Sequence, residues 1–465
     1  MSLGKMPGLR VGAAVTLIAA ASALVFSTAP GGSEGPTRAS DDLVIEGGTL
    51  VNGTGGRPVE NSIVVIRGNR ILLAGKRGAV HTPKGARVVN AEGKYVLPGL
   101  IDVNVHYHEW QGELYLAHGV TTVKDTGNPV EWLEEMSRAI STGKVSGPRL
   151  FYTGNSLTSP PAVKDHHVCL TDPEMARRAV RILKEHGADA VKVGQQISAP
   201  LLQAITAQAH ALGIPVTGHL RMLGAKEAAE AGIDGLEHTT GVPRSTGPHP
   251  DWIRSDNFTS DLAAYYDDLR EAAQMEPARF APLIRLLIAG HVSITPTLFT
   301  WFRVASDKRT DYAHEDNEYS RIPELSYVPE KVLKFWRNPS VYDPPGQAEL
   351  QTFRAAYKNV ARFLREFHDA GGAVLAGSAT GDGVPGLGML REMEEMRELG
   401  LSPAEIIEIS TSRNARFLRK DNEIGTIRPG KLADIIIVDG NPLRDLNSLR
   451  HIAAVIKDGR LVDTK

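Results

Sequence analysis

The chain has 465 residues, 42% hydrophobic and 23% charged, with a formal net charge of -2. This is ordinary globular composition, long enough for a large core. A near-neutral balance without basic stripes gives little counterion-release drive toward phosphate backbones, so nucleic acid is excluded as an expected partner.

Lys5 and Arg10 precede an apolar run from Val11 to Phe26, followed by Ser27-Thr28-Ala29-Pro30-Gly31-Gly32. Charged, apolar and small-residue regions in that order fit a secretory signal. The run is shorter than the roughly 20 residues that span a bilayer comfortably. Residues 1–40 therefore read as a cleaved signal plus a flexible leader, and the protein as secreted or periplasmic. A membrane anchor follows only if the signal stays uncleaved. The single cysteine, Cys169, rules out an intramolecular disulfide and reads as a small buried hydrophobe.

Short strand-like pieces open the mature chain: Leu43 to Ile45, Thr49 to Val51, Ser62 to Arg67, Arg70 to Ala74 and Arg87 to Asn90. Turn dipeptides such as Gly47-Gly48 and Gly68-Asn69 separate them. Next comes Pro98-Gly99-Leu100-Ile101-Asp102-Val103-Asn104-Val105-His106-Tyr107-His108. Strand alternation puts Asp102, Asn104, His106 and His108 on one face, as in a strand that carries a site.

Strand-like and helix-like runs then alternate, the pattern of a parallel barrel or a doubly wound sheet. Candidate strands begin at Leu100, Val120, Leu150, Ala190, Val216, Gly235, Ser293 and Val374. Three polar residues end strands here: Lys192 after Ala190-Val191, His219 after Val216-Thr217-Gly218, and His238 after Gly235-Leu236-Glu237. Active sites of such barrels lie at the C-terminal ends of strands. With 15 histidines in the chain, each alone would be weak evidence. A lysine in an apolar strand is stronger, since an unpaired buried ammonium is costly. His166-His167 reads as a solvated loop. The region of about 245–370 is longer than one βα unit needs and rich in aromatics, including Trp301, Tyr312 and Trp336, and reads as helices plus a lid. Strand-like runs return from Gly425 to Ile427, Ala433 to Val438, Ala453 to Lys457 and Arg460 to Val462.

The Pro98 to His106 phrase resembles the first-strand signature of the amidohydrolase superfamily, Pro-Gly-Leu-Ile-Asp-X-His-X-His. Gly430-Lys431-Leu432-Ala433-Asp434 resembles that family's C-terminal strands. The resemblance implies an α/β fold: a (β/α)8 TIM barrel over 98–420, flanked by a β-sandwich built from 41–97 and 421–465. It also implies metal-activated water attacking a C–N bond of a small amide, cyclic amide or dipeptide-like substrate, in the style of the imidazolonepropionase and prolidase-like branch. In two-metal members, the positions of Lys192, His219 and His238 hold a carboxylated bridging lysine and two histidines.

Two positions depart from the family. Asn104 stands where the first histidine belongs, and Ala379 where an aspartate of a Gly-Thr-Asp segment both touches metal and accepts the proton of water. Both losses fall on one of the two metal positions. What remains is a single site of Lys192, His219 and His238, with His106 in reach. Three ligands plus water describe an open zinc site, so one divalent ion, zinc, is expected, with Lys192 open to carboxylation; a metal-free site is the alternative. His108 lies about 6–7 Å further along the strand and reads as a substrate group rather than a ligand. The base is left open among His108, Glu109, Asp125 and Asp382. No nucleophile elbow, phosphate loop or dinucleotide fingerprint occurs. The competing readings are a catalytically silent binder and a lyase or isomerase. The expected partner is a small-molecule substrate, and homo-oligomerisation is left open.

Overall fold

Residues from both ends of the chain pair in one β sheet. In this computed structural model, residues 42–78, 82–160, 166–248, 261–381 and 383–463 are described, all within one unit, Ser40–Lys465. The signal, the leader and Asp382 lie outside the described residues.

The shared sheet runs in the order Arg460–Val462, Ile452–Lys457, Ile435–Asp439, Lys94–Pro98, Thr49–Leu50. Ile436 sits opposite Leu97 in its antiparallel centre. A second sheet orders Arg70–Lys76, Ser62–Arg67, Asp42–Glu46 and Arg87–Asn90. Ile45, Val64 and Ile66 from one sheet and Val96, Ile435 and Ile437 from the other belong to a single buried cluster. Burial of such side chains stabilises by about 1.5–3 kcal/mol each.

Two expectations need correction here. Lys94–Pro98, unremarked as a strand in the sequence, is central to the shared sheet; it is short and runs directly into the Pro98-Gly99 turn. Gly425 to Ile427 is not a strand: Gly425 has φ 83°, which breaks an extended run, and Ile427 N donates to Asn52 O at 3.1 Å.

Between the chain ends lie parallel strands. Leu100–Val105, Val120–Asp125 and Arg149–Tyr152 form one sheet. His167–Cys169, Ser156–Thr158, Val191–Val193, Val216–Gly218, Gly235–Glu237 and Ser293–Thr295 form another. Asp189 N donates to Tyr152 O at 2.9 Å, linking the two. The segment from Val374 makes only isolated bridges, to Ile294 on one side and from Thr380 to Val105 on the other. Backbone bonds such as Leu375 N to Ile294 O (2.8 Å) and Ala379 N to Asn104 O (2.7 Å) hold it on both sides, and side chains add to them. Ala376 N donates to Asn414 Oδ1 (3.1 Å), Asn414 Nδ2 donates to Ala376 O (2.7 Å), and Ser378 N donates to Asp102 Oδ1 (3.0 Å).

Helices cover these strands for readable reasons. In Pro173–Glu185, Asp172 caps the first turn by accepting from Glu174 N and Met175 N, Pro173 is preset for the first position, and Ala176, Val180 and Leu183 bury one stripe. In Gln347–Asp369, Leu350, Phe353, Val360, Phe363 and Phe367 do the same. No helix among the described residues is long and apolar enough to cross a membrane. Cys169 is half-buried on an edge strand, not a core residue as its type suggests.

Candidate active site

Parallel register brings the strand-ending side chains together. Lys192 lies opposite Thr217, and Glu237 opposite Thr295. Lys192 Nζ forms a buried ion pair with Glu237 Oε2, and Thr217 Oγ1 donates to Glu237 Oε1 at 2.8 Å. Burial alone would raise the Glu237 carboxyl, but the charges of Lys192, Lys124 and His238 outweigh it and hold it at about 2. Lys124 is a second buried ammonium, brought down to about 8 by burial while Glu237 supports its charge. Its Nζ stands 5.0 Å from the Phe417 ring centroid.

Just beyond the strands, the His219 and His238 rings meet at 4.8 Å between centroids. Trp301 stacks on His238 at 4.4 Å and meets His219 edge-on at 5.2 Å. His238 has φ 59° and its Nδ1 shares a 2.6 Å hydrogen bond with Thr297 Oγ1. Gln195 Nε2 lies 3.3 Å from His219 Nε2. A cavity of about 70 Å³, room for a few waters, is lined by Lys192, His219, His238, His106, His166 and His167 among others. The loop histidines 166 and 167 thus reach the site rather than bulk solvent, because the edge strand His167–Cys169 pairs with Ser156–Thr158.

The other half of the site is differently occupied. Asp102 accepts from Asn104 N (3.1 Å), Ser378 N (3.0 Å) and Ser378 Oγ (2.6 Å); burial pushes it to about 6 against those bonds. Asn104 Oδ1 accepts from Thr126 Oγ1 at 3.0 Å, and its Nδ2 is buried with no hydrogen-bond partner among the described residues. Ala379 has φ 49° and its N donates to Asn104 O at 2.7 Å.

The candidate bases separate by position. Asp125 is fully buried and accepts from Tyr107 N, Gly127 N, Asn128 N and Asn128 Nδ2 at 2.7–3.0 Å, a set that anchors the loop after its strand. His108 precedes the short helix Glu109–Gln111 and stacks on Trp110 at 6.5 Å; Glu109 is exposed. Neither is among the residues lining the cavity of His219 and His238. Of the aromatics in the 245–370 region, Trp301 reaches the site, whereas Tyr312, Trp336 and Tyr342 are buried in clusters of their own.

The donor set tests the expected metal. At Asn104 and Ala379 it does not fit: a buried amide NH2 and a methyl group offer no lone pair, and Asn104 Oδ1 is taken by Thr126. Among the described residues, no three His, Cys, Asp or Glu side chains stand together as a metal set. Lys192, His219 and His238 fit one ion only with Lys192 carboxylated, since a paired ammonium has no lone pair to give. A carbamate there would place a second anion beside Glu237, leaving Lys124 and the ion itself to balance both.

Glu237, Thr297 and Gln195 are the site residues the sequence reading passes over. Glu237 could have been found as a carboxylate within an apolar strand, immediately before His238.

The Amidohydrolase family matches residues 95–462. The chain belongs to that family. It is similar to the 5-methylthioadenosine/S-adenosylhomocysteine deaminase of Symbiobacterium thermophilum, 42% identical over 65 residues, 14% of this chain and 15% of that one. It is likewise similar to the dihydroorotase of Pelotomaculum thermopropionicum, 39% identical over 67 residues, 14% and 15% of the two chains. The chain thus spans about 15% of the length of these curated relatives. Solved structures extend the likeness in fold. A Xaa-Pro dipeptidase with bound methionine superposes with a TM-score of 0.65 at 22% identity, over 91% of this chain and 100% of that one. The A. niger ochratoxinase gives 0.62 at 18% identity, over 91% and 96%.

Proposed function

We infer that this amidohydrolase-family protein hydrolyses a C–N bond in a small amide, cyclic amide or dipeptide-like substrate. The observation that carries the reading is the convergence of Lys192, His219 and His238 on one cavity at the ends of three consecutive parallel strands. The hydrogen-bonded sequence from Leu100–Val105 round to Val374 and back through Thr380 supports a closed (β/α)8 barrel over 98–420. The common core of the two terminal sheets supports a flanking sandwich. The apolar run at Val11 to Phe26 supports export to the periplasm or medium.

One divalent ion, zinc, held by carboxylated Lys192, His219 and His238, would activate the attacking water and polarise the carbonyl. The chain's own groups do the rest. Thr297 fixes the ring of His238 through Nδ1, Trp301 covers that ring and narrows access by water, and Glu237 sets the charge around Lys192. With alanine at 379, the proton acceptor falls to imidazoles lining the same cavity, His106, His166 or His167.

The second reading is a silent binder, favoured by the Lys192–Glu237 pair, which leaves the lysine satisfied without an ion. Elemental analysis of dialysed protein, with a panel of dipeptides and N-acyl amino acids, separates the two. One metal equivalent per chain with turnover supports the hydrolase. No metal and no turnover supports the binder, and two tightly held equivalents would overturn the assignment of Asn104 and Ala379 as lost ligand positions.

A further inference from the structure

At the end of the strands opposite His219 and His238 lies a second cavity of about 670 Å³, within the roughly 300–1,000 Å³ usual for small-molecule sites. Pro215, Asp234, Ser293 and Ala373, at the N-terminal ends of four neighbouring parallel segments, form its floor. Leu375 and the Phe417 ring give it apolar surface. That ring is anchored by Lys124 Nζ, so the platform is already in place before a ligand arrives.

Its charges do not cancel. Arg413, Arg416 and Arg419 face two carboxylates, Asp234 and Glu408. Both carboxylates are already engaged: Asp234 accepts from Val216 N (2.7 Å) and pairs with His210 Nε2 (2.8 Å), and Glu408 pairs with Arg413 at 3.3 Å. Arg419 spends one donor on Gly213 O at 2.6 Å and keeps the rest of its guanidinium. Arg416 is exposed and has no ion-pair partner among the described residues. In the same wall, Arg413 NH1 lies 3.3 Å from His368 Nε2, and His368 Nδ1 lies 3.7 Å from Asp369 Oδ1. A guanidinium is built to take a carboxylate through two parallel hydrogen bonds.

We propose that this cavity is a second ligand site, which takes a small organic carboxylate with its apolar body against Phe417 and Leu375 and its carboxylate on Arg416 and Arg419. The site is separate from the hydrolytic one and does not depend on the reaction assigned there.

Benzoate titrated calorimetrically into the full chain tests it. Saturable binding of one benzoate per chain is expected. Arg416→Gln should weaken it about tenfold or more, the loss of one charge-assisted contact, while His219→Ala leaves it unchanged. Because Arg416 is exposed, the glutamine variant keeps the fold, which far-ultraviolet circular dichroism checks. Benzyl alcohol, with the ring but no charge, should bind more weakly than benzoate. Absence of saturation, equal binding of benzyl alcohol, or benzoate binding that His219→Ala removes and Arg416→Gln spares would each overturn the proposal.

Discussion

Glu237→Gln is the substitution that most directly tests the charge arrangement under the site. It keeps the shape of the side chain and removes the one carboxylate set between two buried ammoniums, Lys192 and Lys124. The carboxyl is held at about 2, against an ordinary 4.5. At about 1.36 kcal/mol per pH unit this is on the order of 3 kcal/mol of stability. The sign follows from the depressed value: the contribution is complete above 4.5 and is lost as pH falls toward 2. By linkage less than half of it survives at about pH 3. Urea unfolding of chelator-treated protein, in which Lys192 is an ammonium, should show the variant less stable by about 3 kcal/mol at neutral pH and by less than half of that at about pH 3. Adding Lys192→Met should recover part of the loss, since removing a buried pair together costs less than stranding one partner. A loss below about 1 kcal/mol at neutral pH, or the same loss at both pH values, would refute the reasoning.

Two further outcomes are expected. Thr297→Val keeps the shape but removes the bond to His238 Nδ1, and should weaken the proposed zinc binding about 10–100-fold in chelator competition; unchanged affinity would detach Thr297 from the site. Ala379→Gly relieves a left-handed backbone at φ 49° and should raise stability by about 1 kcal/mol in urea unfolding, and a destabilised variant would show that the methyl group is needed where it stands.

The parts of the fold legible in the sequence are those with a local signal. Ser62–Arg67 ends where the Gly68-Asn69 turn places it, Arg87–Asn90 keeps the bounds read from its sequence, and Lys192, His219 and His238 announce themselves as polar residues within or just after short apolar strands. What stayed hidden depends on partners distant in sequence. The segment from Val374 reads as a strand, yet its Ser378 and Ala376 N–H groups go to the side chains of Asp102 and of Asn414, which lies on a helix near the other end of the chain. Glu237 looks like one more strand residue until register sets it against Lys192. Trp301 is one of many aromatics in its region, and only the turn at Thr297, with φ 48°, carries it over His238.

Asn104 and Ala379 also sit where the segments from Leu100 and from Val374 press together. A side chain on Gly377 would meet Asn104 Cβ at 2.8 Å, so the backbones are as close as glycine allows. That contact is held by groups needing no ion: Asp102 with Ser378, Asn414 with Ile101 O and Ala376 O, and Ala379 N with Asn104 O. Packing at this seam is therefore independent of metal. The opposite side is built the other way. Two ammoniums and one carboxylate are buried together there beside two imidazoles, and taking such charges out of water costs several kcal/mol per ion. Apolar side chains of similar volume would fill that space at lower cost. So costly a charged set beside His219 and His238, opposite a seam that packs without ions, supports the proposed placement of the hydrolytic site at Lys192, His219 and His238.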